Sequence, residues 1–407
     1  MIVRASPDRP VPAAFVGLYT LAQIGAFIAF VPMLNLLLPL KAQALDPAGK
    51  AVLLSQVAVL GALAAAASNL VVGGLSDATR SRWGRRRPWI LAGALAASIA
   101  HFAVIAAPDT PSLILAVVLF QVAVNLMFGP LNALLPDVVA DERKGLVSAW
   151  QGLALPVAGL FSGLFLALTL DELEVRATVT ALVIPLCLAP LILLLRDDAP
   201  TPTARSVGFD LSALRDRDFR LAFVSRLLVQ AAITLNVLYL LFYLQDEARL
   251  PSGPLNDPDA ALGTLLSAGT LSALLVGFLG GLASDRLNRR KALVGAGGLM
   301  MAGGALGLAL APAWPGPLLA QILFGAGLGL YSTVDIALVA QVLPDRSQAG
   351  RDLGIMNLAI TLPQIAAPIL GALILHQAEA GLRAVFLVSC ILAAAGGLIV
   401  MVVRSVR

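Results

Sequence analysis

The apolar residues of this chain come in long unbroken runs separated by short polar loops, and that feature decides most of what the chain can fold into. Elements of a soluble domain carry apolar stripes at a period of 3.6 or 2. An unbroken run of about 20 apolar residues instead crosses a bilayer as a helix. Hydrocarbon supplies no water to backbone groups, so only helices and closed barrels span it. Barrel strands alternate apolar and polar residues, and these runs do not. Composition agrees: of 407 residues 59% are hydrophobic and 13% charged, where soluble domains carry about a quarter charged. The fold class expected is an all-α membrane protein in a lipid bilayer.

Twelve spans are predicted. They fall roughly at 13–40, 51–75, 89–107, 111–135, 145–169 and 176–195, then at 220–245, 261–283, 292–311, 316–343, 352–376 and 382–403. Two six-helix bundles follow, residues 1–196 and 220–407, joined by a polar cytoplasmic linker at 197–219 with a short interfacial helix around 209–219. No cleavable signal peptide is expected, because a span follows the first dozen residues without a cleavage motif. Cys187 and Cys390 lie inside apolar runs, so neither a disulfide framework nor a zinc site is expected.

Basic residues set the orientation. With the N-terminus inside, the inner loops hold the cluster Arg80, Arg82, Arg85, Arg86 and Arg87, then Arg215, Arg217 and Arg220, and Arg286, Arg289, Arg290 and Lys291. The outer side keeps only Lys41, Lys50, Arg176, Arg249 and Arg383. Both termini are therefore expected to be cytoplasmic, with a bacterial inner membrane as the location. The basic pI of about 9.4 reflects this topology. Arginines spread over every inner loop are not a nucleic-acid surface, and no nucleic-acid partner is expected.

The chain repeats itself. Gly74-Leu75-Ser76-Asp77 returns as Gly281-Leu282-Ala283-Ser284-Asp285, Leu135-Pro136-Asp137 as Leu343-Pro344-Asp345, and Leu155-Pro156 as Leu362-Pro363. The offsets are 207 or 208 (281−74, 344−136, 363−156). Parallel duplicated halves place a binding site between them near the bilayer midplane. The loop after span 2 runs from Gly74 and Asp77 through Arg82, Gly84, Arg85 and Arg86 to Arg87-Pro88; the loop after span 8 carries Gly281, Asp285, Arg286, Arg289 and Arg290. Both resemble the signature inner loop of the major facilitator superfamily, and the resemblance covers nearly the whole chain. It implies two six-helix bundles that rock about a central site, with these residues as an inner gate. Physically, glycine lets helices approach closely and an aspartate accepts charge-assisted bonds from arginine or a helix end. The blander reading is that the arginines only fix topology. In the first loop four residues separate Asp77 from Arg82, and Gly84-Arg85-Arg86-Arg87-Pro88 follows. That longer form looks like the sucrose and glycoside–cation symporter branch, and the stretch from Asp335 to Gly354 looks like its bacterial relatives.

Charges at membrane depth are costly, so they tend to face a cavity and to have a partner. Two stand out, Arg226 in span 7 and Asp335 in span 10. They are expected to pair and to couple proton movement to transport; a static brace between the two helices is the plainer alternative. Plant sucrose symporters, which the branch resembles, carry a coupling acid in span 4. Here span 4 has Gln121, Asn125 and Asn132 and no acid before Asp137, so Asp335 takes that role, or transport is uncoupled, or sodium replaces the proton. Candidate substrate-cavity residues are Gln23 and Asn35 in span 1, Gln121 and Asn125 in span 4, Gln230 and Asn236 in span 7, and Gln321 and Tyr331 in span 10. Asn and Gln both donate and accept, which suits hydroxyl-rich ligands; interhelical bonding is the competing role for each. His101 and His376 are expected to be packing residues.

No phosphate-cradling loop and no His/Cys metal spacing occurs. No enzyme activity, cofactor or metal is expected. The expected function is a monomeric secondary active transporter, a proton- or sodium-coupled symporter of a small-molecule substrate, a saccharide or glycoside, working by alternating access. The rivals are a proton-coupled exporter of drugs or small metabolites, and a membrane scaffold or delivery protein that transports nothing.

Overall fold

The computed structural model describes residues 3–5, 12–79, 81, 83–139, 141–197, 212–287, 289–343, 349–377 and 381–404. Among these, twelve helices are long and apolar enough to cross a membrane. Spans 1–6 are Ala13–Leu45, Lys50–Gly73, Arg87–Ala106, Thr110–Leu135, Arg143–Ala167 and Leu173–Leu194. Spans 7–12 are Arg217–Asp246, Pro258–Ser284, Arg290–Leu310, Gly316–Ile336, Gly354–His376 and Gly381–Val402. The all-α membrane class is as the sequence predicts. The chain divides into two compact units, Met1–Ala204 and Arg205–Arg407, each with six spans.

Three local features depart from the expected helices. Span 1 passes through a π-helical turn at Met33–Leu37, where the Leu38 N–H donates to the Met33 carbonyl five residues back. Pro39 has no N–H to offer Asn35, and its ring would press on that carbonyl, so the wider turn lets the helix continue to Leu45. Span 5 is not one straight helix. It runs as Asp141–Gln151, a turn at Gly152 and Leu153, a segment Ala154–Leu160 and a second π turn at Phe161–Ala167. Pro156 sits in the first turn of the restarted helix, where its missing N–H costs no intrahelical bond. The interfacial helix expected around 209–219 is, in its described part, a single 3-10 turn at Ser212–Arg215 leading into span 7. Asp216 caps that span by accepting from the Phe219 N–H at 2.9 Å. Residues 198–211 of the linker lie outside the described set. A parallel pair of three-residue strands, β1 (Val3–Ala5) and β2 (Leu195–Asp197), ties the N-terminus to the end of span 6; alternating patterns this short leave no readable period.

Small residues set the packing inside each unit, since helices in lipid associate through close backbone approach more than through hydrophobic exclusion. In the second unit a Cβ on Gly325 would strike the Gly269 backbone and one on Gly329 the Ala273 backbone, so spans 8 and 10 touch main chain to main chain. A Cβ on Gly297 would lie 2.8 Å from the Tyr331 nitrogen of span 10, and one on Gly298 2.7 Å from Gly397 Cα of span 12. Span 12 meets span 7 where a Cβ on Gly396 would lie 2.8 Å from the Ser225 carbonyl oxygen, and the Ser225 hydroxyl donates to the Gly396 carbonyl at 2.7 Å. The first unit repeats this order. Gly61 of span 2 packs on Val117 of span 4, Gly93 of span 3 on the Met127 backbone of span 4, Ser98 of span 3 donates to the Ala181 carbonyl of span 6 at 2.8 Å, and Gly25 of span 1 packs on Cys187 of span 6.

Candidate functional site

In the second unit the first and fourth spans are joined by charge. Arg226 lies about two and a half turns into span 7, and its Nε sits 3.3 Å from Asp335 Oδ2 near the end of span 10. The Asp335 side chain is 8% exposed and that of Arg226 18%. The two residues that the sequence marked as isolated intramembrane charges are thus brought together across more than a hundred residues of chain. Tyr331, one turn before Asp335 on the same helix, is buried, and its hydroxyl makes no hydrogen bond among the described residues. A half-open cavity of about 200 Å³ adjoins the pair, lined by Arg226, Ile336, Val339 and Asn357. Asn357 is on span 11 and was not among the residues marked in the sequence.

The same position in the first unit is neutral. Gln23 of span 1, fully buried, donates through Nε2 to Asn132 Oδ1 of span 4 at 2.9 Å and to the Tyr19 hydroxyl at 2.9 Å. Asn132 also accepts from Gln151 of span 5 at 3.3 Å. Both members of this pair lie 203 residues before the charged pair (226−23 and 335−132). The packing contacts Gly93–Met127 and Gly297–Tyr331 repeat at 204 (297−93 and 331−127). Within one residue, then, the duplicated halves carry one cross-brace between their first and fourth spans, uncharged in one and ionic in the other.

The remaining predicted cavity residues are scattered. Asn35 is half-buried in the π turn of span 1. Gln121 is buried against Gly61, where a Cβ would lie 3.4 Å from its Cγ, and Asn125 donates to the Gln121 carbonyl at 2.8 Å and accepts from Asn69 at 3.3 Å. Gln321 is likewise buried against Gly269, with no partner for its Oε1 among the described residues. Gln230 accepts at its carbonyl from the Thr234 hydroxyl at 2.9 Å. Asn236 is fully buried, and neither its Oδ1 nor its Nδ2 has a hydrogen-bond partner among the described residues. His101 is a buried packing residue, its Nδ1 2.8 Å from the Ala97 carbonyl and its ring edge-on to Phe120.

At the predicted inner gate, Arg85 Nη2 lies 2.6 Å and Arg86 Nε 3.0 Å from Asp137 Oδ2, and Arg86 also donates to the Ser76 hydroxyl at 2.7 Å. The loop arginines of the first unit thus grip the end of the span 4 helix. The repeated Leu-Pro-Asp landmark containing Asp137 was the signal that could have found this partner. Gly84 takes φ 95°, the left-handed turn that lets Arg85 and Arg86 reverse toward Asp137. Arg82 lies outside the described residues, as do the side chains of Asp77 and Asp285; Gly74 and Gly281 are helical, Arg286 closes the span 8 helix, and Arg289 and Arg290 open span 9.

A family model described as Major Facilitator Superfamily matches residues 13–255 and again 254–407. The chain belongs to the Major Facilitator Superfamily. It is a secondary transporter of that type, an integral membrane protein whose partners are a small-molecule substrate and membrane lipid. Solved structures share the superfamily fold at low identity. A peptide transporter POT in complex with sulfate aligns with TM-score 0.74 and 14% identity over 98% of this chain and 96% of that one. A mutant of the nucleoside transporter NupG gives 0.70 and 13% over 95% and 99%. A bacterial homolog of the human lysosomal transporter Spinster, inward-facing and occupied, gives 0.68 and 13% over 96% and 95%. These likenesses show the superfamily fold alone. No curated protein matches the sequence.

Proposed function

We propose that this superfamily member is a proton-coupled symporter of a hydroxyl-rich solute, a sugar or glycoside, working by alternating access at a bacterial inner membrane with both termini cytoplasmic. The observation that carries the reading is the buried Arg226–Asp335 pair beside a cavity. A carboxylate held by one arginine is poised between two neutralising partners, the guanidinium and a proton. A carboxylate engaged this way is a poor sodium ligand, since a hard cation asks for several free oxygens. The superfamily-type inner loops in the sucrose and glycoside branch form support the solute class, and the Arg85–Arg86–Asp137 cluster supports an inner gate. Reconstituted in proteoliposomes, the protein should accumulate a saccharide when the outside is acidified, and Asp335→Asn should abolish accumulation while leaving exchange of solute across the membrane. Full pH-driven accumulation by Asp335→Asn would end this reading.

A further inference from the structure

Two helices of the first unit widen into π turns, Met33–Leu37 in span 1 and Phe161–Ala167 in span 5, and the two turns lie against each other. Such turns break the regular helical ladder and are frequent at functional sites. In span 1 the Leu34 carbonyl loses its α-helical donor, because the Leu38 N–H is given to Met33. The next residue, Pro39, has no N–H for Leu34 or for Asn35. The side chains at this level are polar as well. Ile28 and Val31 of span 1 pack with Ala158 of span 5. One turn further along the same two faces stand Asn35 and Ser162. Ser162 is fully buried, and its Oγ has no hydrogen-bond partner among the described residues. The Asn35 side chain, half-buried, makes no hydrogen bond among them either. Buried polar groups left without partners are costly, so this gathering of oxygens asks for a ligand.

We propose that the seam between the two π turns binds an alkali cation, sodium or potassium, through the Leu34 carbonyl, Asn35 Oδ1 and Ser162 Oγ. Carbonyl, amide and hydroxyl oxygens are ligands of hard cations, and helix carbonyls released inside a membrane can serve them. The α-helical part of span 1, Ala13–Pro32, ends here, so the negative end of its dipole adds to the attraction. None of the three ligands is charged, and a monovalent ion keeps the buried excess charge to one unit. The ion ties span 1 to span 5 at a level where neither is a regular α-helix. The inference is independent of the proton-coupled symporter reading, whose Asp335 belongs to the other unit.

The test is thermal unfolding of the full-length, detergent-purified protein in sodium, potassium or choline chloride at equal ionic strength, with no solute added. Choline is too bulky for the seam and controls for screening. Sodium or potassium should raise Tm saturably, by about 5–10 °C at about a hundredfold excess over Kd. Ser162→Ala removes one ligand and should weaken cation affinity about 10-fold. In choline it should melt no lower than wild type, because the hydroxyl it removes is buried without a partner among the described residues. Pro39→Ala returns an N–H to the span 1 carbonyls and should abolish the cation response. Equal melting of the wild type in all three salts overturns the site. A cation response undiminished in Ser162→Ala or in Pro39→Ala overturns it too, because the ion then sits elsewhere. Loss of packing alone would lower the Tm of Ser162→Ala equally in every salt, and that result also ends the assignment.

Discussion

The two cross-braces, ionic in one unit and amide in the other, make a double-mutant cycle unusually informative. Asp335→Asn alone strands the Arg226 guanidinium, which cannot shed its charge. Removing one partner of a buried pair costs about 3–5 kcal/mol. Arg226 is 18% exposed, so water screens part of that and the lower end, about 3 kcal/mol, applies. Arg226→Gln alone leaves a carboxyl that neutralises by binding a proton and so costs less. The double variant Arg226→Gln/Asp335→Asn rebuilds the chemistry of Gln23 and Asn132, which meet at 2.9 Å in the first unit. It should lie within about 1 kcal/mol of wild type, a coupling energy of about 2–3 kcal/mol. For a unit of this size 1 kcal/mol is about 2–4 °C in Tm. Asp335→Asn should thus melt about 6–12 °C lower, and the double variant should recover most of that. The assay is thermal unfolding of all four proteins in detergent at pH 7.5, with pH-driven uptake measured in parallel. Recovered stability with uptake still lost separates a brace from a proton site. Destabilisations that simply add, to within about 0.5 kcal/mol, refute the reasoning.

Gly325→Ala or Gly329→Ala places a methyl against main chain of span 8 that cannot step aside, and should cost about 1–3 kcal/mol in the same melts. Gly354→Ala, whose Cβ meets nothing within 4 Å, should be neutral or slightly stabilising. Asp137→Asn removes the carboxylate shared by Arg85 and Arg86 and should cost about 1.5–3 kcal/mol, with faster labelling of a cysteine introduced at Ser76. At the start of span 4 the Ser112 hydroxyl and N–H hold the Asp109 carboxyl below the ordinary carboxylate range. A depressed folded-state value means stability present at neutral pH and lost as the carboxyl protonates in acid. An acid titration of stability should therefore be flatter in Asp109→Asn than in wild type.

Depth in the membrane was legible from the sequence, and rotation about each helix axis was not. Arg226 and Asp335 declared themselves because charge is rare in apolar runs, and they meet at 3.3 Å. Gln23 and Asn132 form the matching brace, but an amide in a lipid-soluble helix carries no comparable penalty and therefore no comparable signal. Lipid and helix neighbours are alike apolar, so periodicity scarcely tells which face points inward. That is why Gln121 and Gln321, expected in a cavity, pack against Gly61 and Gly269. It is also why Asn357, which lines one, went unmarked. The π turn at Met33–Leu37 follows from Pro39 only once the helix is known to run on past it.

The seams of the second unit run in sequence from span 8 to 10, 10 to 9, 9 to 12 and 12 to 7, each at a glycine. Such seams are geometric locks: they part only if a whole helix slides away from its neighbour. The Arg226–Asp335 contact from span 7 back to span 10 closes spans 10, 9, 12 and 7 into a loop, and it is made by an ion pair where the other three seams of that loop meet at glycine. A closed loop of rigid rods has few ways to deform, and an open one gains a hinge. Breaking that one ion pair would thus change how many mechanical degrees of freedom the four helices share, with no glycine contact disturbed.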